Sequence, residues 1–485
     1  MTQETAANNA GQQVRDHVPI PTKVSYSLGT ALDMWGLWLY PSVAFAVFNI
    51  YLGVSPWLVG LALTLIRVYD AISDPVVGWI SDNFRSKYGR RRPFILVAGI
   101  LCGLGLPGLF LLSPAWVEIK FLGVSVAFWY MILSSMIYIP IFSFFTVPYN
   151  SLGNELSPDY EERTSIMTYR SAIQKVFEVG NFYALRFTNL AWFLIPGTGK
   201  QNVLLGMQVY ACILGVIMAI FSITIFFRVK ERYYESVVVK IKERISIKSA
   251  FYETLTCRPF LIMMLVGASF TLGTSMVGTL GYYATVYYVC GGSSVSGNDW
   301  NFWMGLSFMI GGLIGAPLLN RVAYVIGKRS ALVVAASIGI IGYGGSWYLY
   351  TPDIPWLQTT AAGLMGLAAA GLWMLHSSIG ADVIDYDELQ TGKRREGSFT
   401  GCAQYILKLG NSMGGLLAGS VIGWAGFNAS LGAQSANTIF WIRAMLAVIP
   451  IIGLSMVIVF ILQLPLTKQK CQEIRLKLEA RRGQV

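Results

Sequence analysis

Apolar residues in this chain gather into long runs separated by short polar stretches. Each run has about the length a helix needs to cross a hydrocarbon core of roughly 30 Å. About twelve runs of roughly 20–30 residues meet that criterion. They lie near 24–52, 56–81, 93–113, 121–152, 166–195, 203–228, 260–289, 300–326, 329–350, 355–384, 398–427 and 439–464. The pattern predicts an all-α polytopic membrane protein. The polar stretch before Lys23 has no apolar core of the kind a cleaved signal peptide requires, so the first run is expected to direct insertion itself.

Composition agrees. Of 485 residues, 54% are hydrophobic and only 13% charged, which excludes an ordinary soluble globular protein. The net charge of +11 raises a nucleic-acid partner, but the positions of the charges exclude one. Lys and Arg crowd into alternate loops: Arg85 to Arg92, Arg228 to Lys248, Arg321 to Arg329, Lys393 to Arg395, and the tail from Lys468 to Arg482. The intervening loops hold little beyond Lys120 and Lys200. This positive-inside asymmetry predicts that both termini are cytoplasmic and that the number of spans is even. The six cysteines form no CxxC and read as small buried hydrophobes. With two histidines and no His/Cys cluster, no metal site built on those residues is expected.

The longest polar connection divides the chain into two sets of six runs. The predicted organisation is a cytoplasmic tail (1–23), an N-terminal six-helix half (24–228), a central cytoplasmic loop (229–259), a C-terminal six-helix half (260–464) and a second cytoplasmic tail (465–485). Within the central loop, Ser246–Thr256 reads as an amphipathic surface helix. The halves echo each other. Gly78, Asp82, Gly89 and Arg90 after the second run correspond to Gly315, Asn320, Gly327 and Lys328 after the eighth. Asp159-Tyr-Glu-Glu after the fourth run corresponds to Asp385-Tyr-Asp-Glu after the tenth. Parallel six-helix repeats predict the major facilitator fold, with its substrate site between the halves near the midplane.

Ionisable residues inside spans mark function by default. In the second run, Arg67, Asp70 and Asp74 fall on one helix stripe at spacings of three and four. Each charge costs at least roughly 2.5–3.5 kcal/mol at membrane depth. One arginine cannot neutralise two carboxylates, so a mobile cation is expected at Asp70 and Asp74, in preference to an ion pair that only locks helices. Pro75 has no N–H to give the carbonyl of Ala71, which frees an oxygen beside Ser73. Carboxylates, a hydroxyl and a carbonyl suit a hard cation such as Na⁺, while paired carboxylates also suit a proton. Lys408 lies about 15 Å of helix inside the eleventh run and is expected to face Asp70 or Asp74 across the halves, as a gate with which a cation competes. The alternative is an ammonium that snorkels to the surface.

In the fifth run, Arg170, Gln174, Phe177 and Asn181 form a polar stripe in which Arg170 offers paired donors to a ligand. Lys175 and Glu178 read as a structural pair. Asp33 is either an acceptor for sugar hydroxyls or a helix-packing contact. Trp373 either stacks on a pyranose ring or packs, and His376 reads as a satisfied polar residue.

Taken together, Arg67-x-x-Asp70-x-x-Ser73-Asp74-Pro75, Gly78-Trp79, Arg85-Ser86, Gly89 and Pro93 resemble the glycoside–pentoside–hexuronide:cation symporters, the melibiose permease-like group. Ser25-Tyr26, Pro148, Ser151-Leu152, Asp382, Asp385-Tyr386 and Lys408 extend the likeness through most of the chain. The resemblance implies cation binding at Asp70, Asp74, Ser73 and Ser143, with Na⁺ as the metal if the protein is sodium-coupled. It implies substrate binding or coupling at Arg170, Trp373, Gln404 and Lys408, with Arg67 beside them. Asp33 matches the family's helix-one sugar aspartate if a one-residue gap is allowed. Ser73 stands where melibiose permease has an asparagine, leaving Na⁺, Li⁺ and H⁺ open. Thr146 replaces a sugar-binding aspartate and Asn150 a tryptophan beside the sugar, so a ligand other than melibiose is expected.

The sequence therefore predicts a secondary active transporter of a bacterial inner membrane, without cofactor, acting as a monomer on a small sugar, glycoside or hexuronide with Na⁺ or H⁺. The alternative is a cation-coupled carrier of a lysolipid or other amphiphile. A membrane-embedded glycosyltransferase would need acidic motifs in substantial loops, and the outer loops are too short and bare.

Overall fold

The computed structural model describes residues 17–84, 86–157, 160–231, 257–391 and 396–482. The expected central surface helix at Ser246–Thr256 and the basic residues Arg85 and Lys393 to Arg395 lie outside them. Among the described residues, twelve long helical segments follow the twelve apolar runs. The first half holds α1 (Ile20–Tyr51), α2 (Pro56–Asn83), α3 (Arg92–Gly105), α4 (Val126–Glu155), α5 (Tyr160–Phe187) and α6 (Val203–Arg228). The second holds α7 (Arg258–Val289), α8 (Ser294–Ile326), α9 (Lys328–Leu349), α10 (Leu357–Thr391), α11 (Glu396–Trp424) and α12 (Ala436–Ile461). A short helix, α13 (Lys468–Arg482), follows and packs on α10. Ten of the twelve are long and apolar enough to cross a membrane on composition alone. The other two, α5 and α11, carry Arg170, Gln174 and Asn181 and Gln404, Lys408 and Asn411.

Three boundaries differ from the apolar runs for local reasons. The fourth run begins at 121, but residues Lys120–Phe121 and Val124–Ser125 pair as a tight hairpin, β1 and β2, around Gly123 at φ +78°. The helix starts only after Ser125, whose hydroxyl accepts the Ala127 N–H at 3.3 Å. At the other end of the bundle α5 and α10 outrun their apolar runs, because the acidic segments there continue the helix. These are the same segments whose sequences echo each other.

The repeat is visible in the backbone as well. Gly89 and Gly327, the paired glycines of the two basic loops, both adopt positive φ, +103° and +90°, which only glycine takes without strain. At Gly89 a side chain is also excluded by contact. The Glu231 carboxylate accepts the N–H groups of Arg90, Arg91 and Arg92 at 3.0, 2.7 and 3.1 Å. It thereby seats an anion on the N-terminus of α3, and a Cβ on Gly89 would lie 2.6 Å from one of its oxygens. A further echo was invisible in the sequence: α1 closes with a π-helical turn at Phe45–Tyr51 and α7 with one at Thr285–Val289. Such turns occur mostly at functional sites.

The halves meet along α2–α11, α5–α8 and the ends of α1 and α7, at the end of the bundle opposite the basic loops. Small residues permit the approach. A Cβ on Gly60 would stand 2.3 Å from the Gly415 carbonyl, and one on Gly419 would stand 2.3 Å from that of Pro56. Polar contacts close the same end: Tyr283 donates to Asn49, Asn298 to Asn189 at 3.1 Å, and Arg186 pairs with Asp299 at 3.1 Å. Below this seam Lys408 keeps 42% of its side chain exposed, so the open space lies on the basic side of the bundle. Replacing Gly60 with valine is expected to wedge the seam at a cost of about 1–3 kcal/mol. A cysteine placed at Ser412 should then label faster with a water-soluble maleimide; unchanged labelling would mean that the seam tolerates the extra methyl groups.

Candidate transport site

Two polar clusters sit at mid-depth, and α4 touches both. Its residues Ser143, Thr146 and Asn150 are spaced three and four apart and so share one face. Ser143 reaches the first cluster, Thr146 and Asn150 the second.

The first cluster is built on α2. Lys408 of α11 places its Nζ 2.5 Å from Asp74 Oδ2 and 3.5 Å from Asp70 Oδ2. The sequence expectation that this lysine faces the acids across the halves is therefore met in the geometry. Asp70 is buried at 3% exposure. The other Asp74 oxygen, Oδ1, is buried and has no hydrogen-bond partner among the described residues. Ser73 Oγ donates to the Asp70 carbonyl at 3.0 Å and lies 3.1 Å from Ser143 Oγ. Two carboxylates and two hydroxyls thus converge, with one carboxylate oxygen unsatisfied. That donor set is all oxygen and fits a hard monovalent cation or a proton.

Arg67 lies near the acids without pairing with them. It shares the helix stripe of the two acids, yet no ion pair within 4.0 Å joins it to either among the described residues. Its guanidinium donates to the Leu37 carbonyl of α1 at 3.2 Å and lies 4.9 Å over the Trp38 ring. The Cβ direction is set by the helix, but the long side chain turns away toward a carbonyl and an aromatic face. The ammonium of Lys408 takes the place beside the carboxylates.

The second cluster joins α1, α4 and α5 in a ring of hydrogen bonds. Asp33 Oδ1 accepts from Thr146 Oγ1 at 2.8 Å, and Oδ2 accepts from Arg170 Nη2 at 3.0 Å. The same Nη2 donates to Asn150 Oδ1 at 2.6 Å, and Asn150 Nδ2 donates to Thr146 Oγ1 at 3.3 Å. Arg170 also lies 5.2 Å over the Tyr149 ring. Tyr149 is in turn stacked on Tyr26 at 4.7 Å and donates to its carbonyl. The two tyrosines had no role assigned from sequence, although Tyr26 lies in one of the shared motifs. The stripe on α5 turns mainly toward α1: Gln174 approaches Met34 Sδ, and Asn181 donates to the Met34 carbonyl at 3.2 Å. Lys175 and Glu178 pair at 2.6 Å.

From the second half, Trp373 stands 40% exposed with Phe270 against it edge-on at 5.2 Å, and Gln404 is exposed. Neither hydrogen-bonds to the Asp33 ring among the described residues. His376 is held to the Met263 carbonyl at 3.2 Å.

The sequence profile described as MFS/sugar transport protein matches residues 27–468. The chain belongs to that family. It is a multi-pass membrane transporter and not an enzyme. Two relatives are similar over nearly their whole length. An isoprimeverose transporter of Lactiplantibacillus pentosus is 24% identical over 454 residues, covering 90% of this chain and 87% of that one. A glucuronide carrier protein homolog of Escherichia coli K12 is 24% identical over 471 residues, covering 95% and 96%. Solved structures share the fold. The nucleoside transporter NupG matches with a TM-score of 0.60 at 12% identity, covering 92% of this chain and 99% of that one. A bacterial Spinster homolog in an inward-facing, unoccupied conformation matches at 0.59 with 15% identity, covering 96% and 98%.

Breaking the Asp33–Arg170 pair strands a charge at membrane depth. Asp33→Ala and Arg170→Ala are each expected to cost about 3 kcal/mol, and the double variant little more than either alone. Unfolding of the three proteins in detergent reads this coupling; additive losses would show two independent side chains.

Proposed function

We propose that this protein is a secondary active symporter that moves a sugar, glycoside or hexuronide together with Na⁺ or H⁺ by alternating access. The observation that carries this reading is the carboxylate pair of buried Asp70 and half-buried Asp74, whose ion-pair partner among the described residues, Lys408, comes from the opposite half, with Asp74 Oδ1 left unsatisfied. A cation arriving between Asp70, Asp74, Ser73 and Ser143 competes with the ammonium for the same oxygens. Once displaced, Lys408 no longer ties α11 to α2, and the link across the halves becomes dependent on the ion. The sugar sits beside this switch, on the Asp33–Arg170–Asn150–Thr146 ring, with Trp373 and Gln404 closing on it from the other half. Because each ligand shifts the same two-state equilibrium, each raises the other's affinity by the same factor.

The basic loops set the sidedness. With that end in the cytoplasm of a bacterial cell, the conformation described here is open inward. The protein works as a monomer without a cofactor, with Na⁺ or H⁺ as its coupling ion. The polar, hydrogen-bonded ring favours a hydroxyl-rich ligand over the amphiphile alternative, since an acyl chain gains nothing from four converging polar side chains.

Asp74→Ala is expected to abolish cation-driven uptake into proteoliposomes while leaving the folded yield intact. Accumulation that still follows an imposed Na⁺ or H⁺ gradient in that variant would sink the coupling scheme.

A further inference from the structure

Arg443 is a charge inside a span that neither polar cluster uses. It follows Ala436, the first residue of α12, by about 10 Å of helix, at the end of the bundle opposite the basic loops. Helical side chains lean toward the N-terminus, so its guanidinium is carried back toward that end. There it is held between two rings. The centre of the Tyr288 ring, in the last turn of α7, lies 3.8 Å from Cζ. That of Trp347, in the last turn of α9, lies 4.6 Å from it. Nη2 donates to the Trp347 carbonyl at 2.5 Å, an acceptor that the end of α9 leaves without an intrahelical donor.

These contacts tie α7, α9 and α12 together, but they leave the charge unbalanced. No carboxylate pairs with Arg443 within 4.0 Å among the described residues. At this end of the second half Asp299 is engaged by Arg186, and Asp353 stands exposed in the loop after α9. One donor is also spare and open. Nε is sealed from the surface, whereas Nη1 keeps accessible surface and has no hydrogen-bond partner among the described residues.

What Nη1 faces is lipid. Both α9 and α12 pack chiefly on helices of their own half, and Tyr348, Phe440 and Trp424 are exposed around them. Phe440 meets Trp347 edge-on at 5.6 Å, and Trp424 meets Trp441 at 4.9 Å. Tryptophan and tyrosine gathered at helix ends mark the headgroup level of a bilayer. With a ring over each face, the guanidinium is open only along its edge. Adjacent amino groups on such an edge match two oxygens of a phosphate.

We infer that Arg443 is a binding site for the phosphodiester of an anionic phospholipid. The phosphate supplies the counter-charge missing from the chain, and the acyl chains lie against the apolar outer faces of α9 and α12, where Ile341 and Val448 are exposed. The lipid thereby braces three helices of the second half at one end. This inference rests on the membrane-spanning fold and is independent of the ion and sugar carried.

The test is native mass spectrometry of the full-length protein, delipidated in detergent and titrated with phosphatidylglycerol. One molecule should bind to the wild type about tenfold more tightly than any binds to Arg443→Gln. Diacylglycerol with the same chains should not compete for that site; equal competition would reduce it to an apolar contact and overturn the proposal. Inorganic phosphate should not displace the lipid, and displacement would make this a free-anion site instead. Since Arg443→Gln also removes the tie to Trp347, Phe440→Glu serves as a second variant. It sets a carboxylate three residues before Arg443, on the same helix face, and leaves the arginine and both of its rings in place. The tight lipid should be lost there too, with thermal unfolding in lipid-free detergent close to that of the wild type. Retention of the tight lipid in either folded variant overturns the site.

Discussion

An ammonium drawn between two carboxylates of the opposite half is the contact on which the rest of this structure turns. Lys408 lies 2.5 Å from Asp74 and 3.5 Å from Asp70, in surroundings where charges interact several times more strongly than in water. Such a pair adds little net stability, because desolvation offsets most of the attraction. In the symport mechanism proposed above, what it supplies is a link that a small ion replaces. A hydrophobic contact at the same place would hold the halves as firmly but could not be exchanged for a ligand. The remainder of the interface is built differently: the glycine seam of Gly60, Gly415 and Gly419 packs backbone on backbone at the sealed end, with the charged link apart from it at mid-depth.

The two clusters communicate through α4. One face of that helix gives Ser143 to the acids and Thr146 and Asn150 to the Asp33–Arg170 ring. A shift of α4 by a fraction of a turn moves both clusters together. Packing keeps that motion discrete. A Cβ on Gly29 would come within 2.3 Å of the Tyr149 ring, and one on Gly153 within 2.0 Å of the Tyr26 hydroxyl. These glycines let α1 and α4 interlock around the stacked tyrosines beneath Arg170. Close-packed interfaces of this kind favour two alternative arrangements over a continuum.

Much of this was legible from sequence because the controlling physics is one-dimensional. Runs of apolar residues specify the spans, and a lone lysine about 15 Å inside a span requires a counter-charge. The Asp33 ring was legible only as separate polar residues, since its closure depends on how α1, α4 and α5 pack. The direction that Arg67 takes was not legible for a related reason. Helical spacing fixes where its Cβ stands, but a guanidinium on a long flexible stem can reach in either direction, and Trp38 with the Leu37 carbonyl offered the better contact. The π-helical turns at Phe45–Tyr51 and Thr285–Val289 had no signal at all, because one extra residue per turn leaves an apolar run equally apolar.

Those two π-turns occupy the same position in each half, at the sealed end of the first helix. Next to them Tyr283 donates to Asn49, and the rings of Phe45 and Tyr283 meet edge-on at 6.4 Å. A π-turn leaves one residue out of step with the helical hydrogen-bond ladder, so it returns to regular geometry without breaking the helix. Placed where α1 meets α7, the pair gives the seal a way to open by local rewinding, while the glycine seam alone would require whole helices to slide. In the symport mechanism proposed above, the charged link at mid-depth and the rewound ends at the seal are then two parts of one device: the first answers to the ion, and the second lets the halves part on the far side.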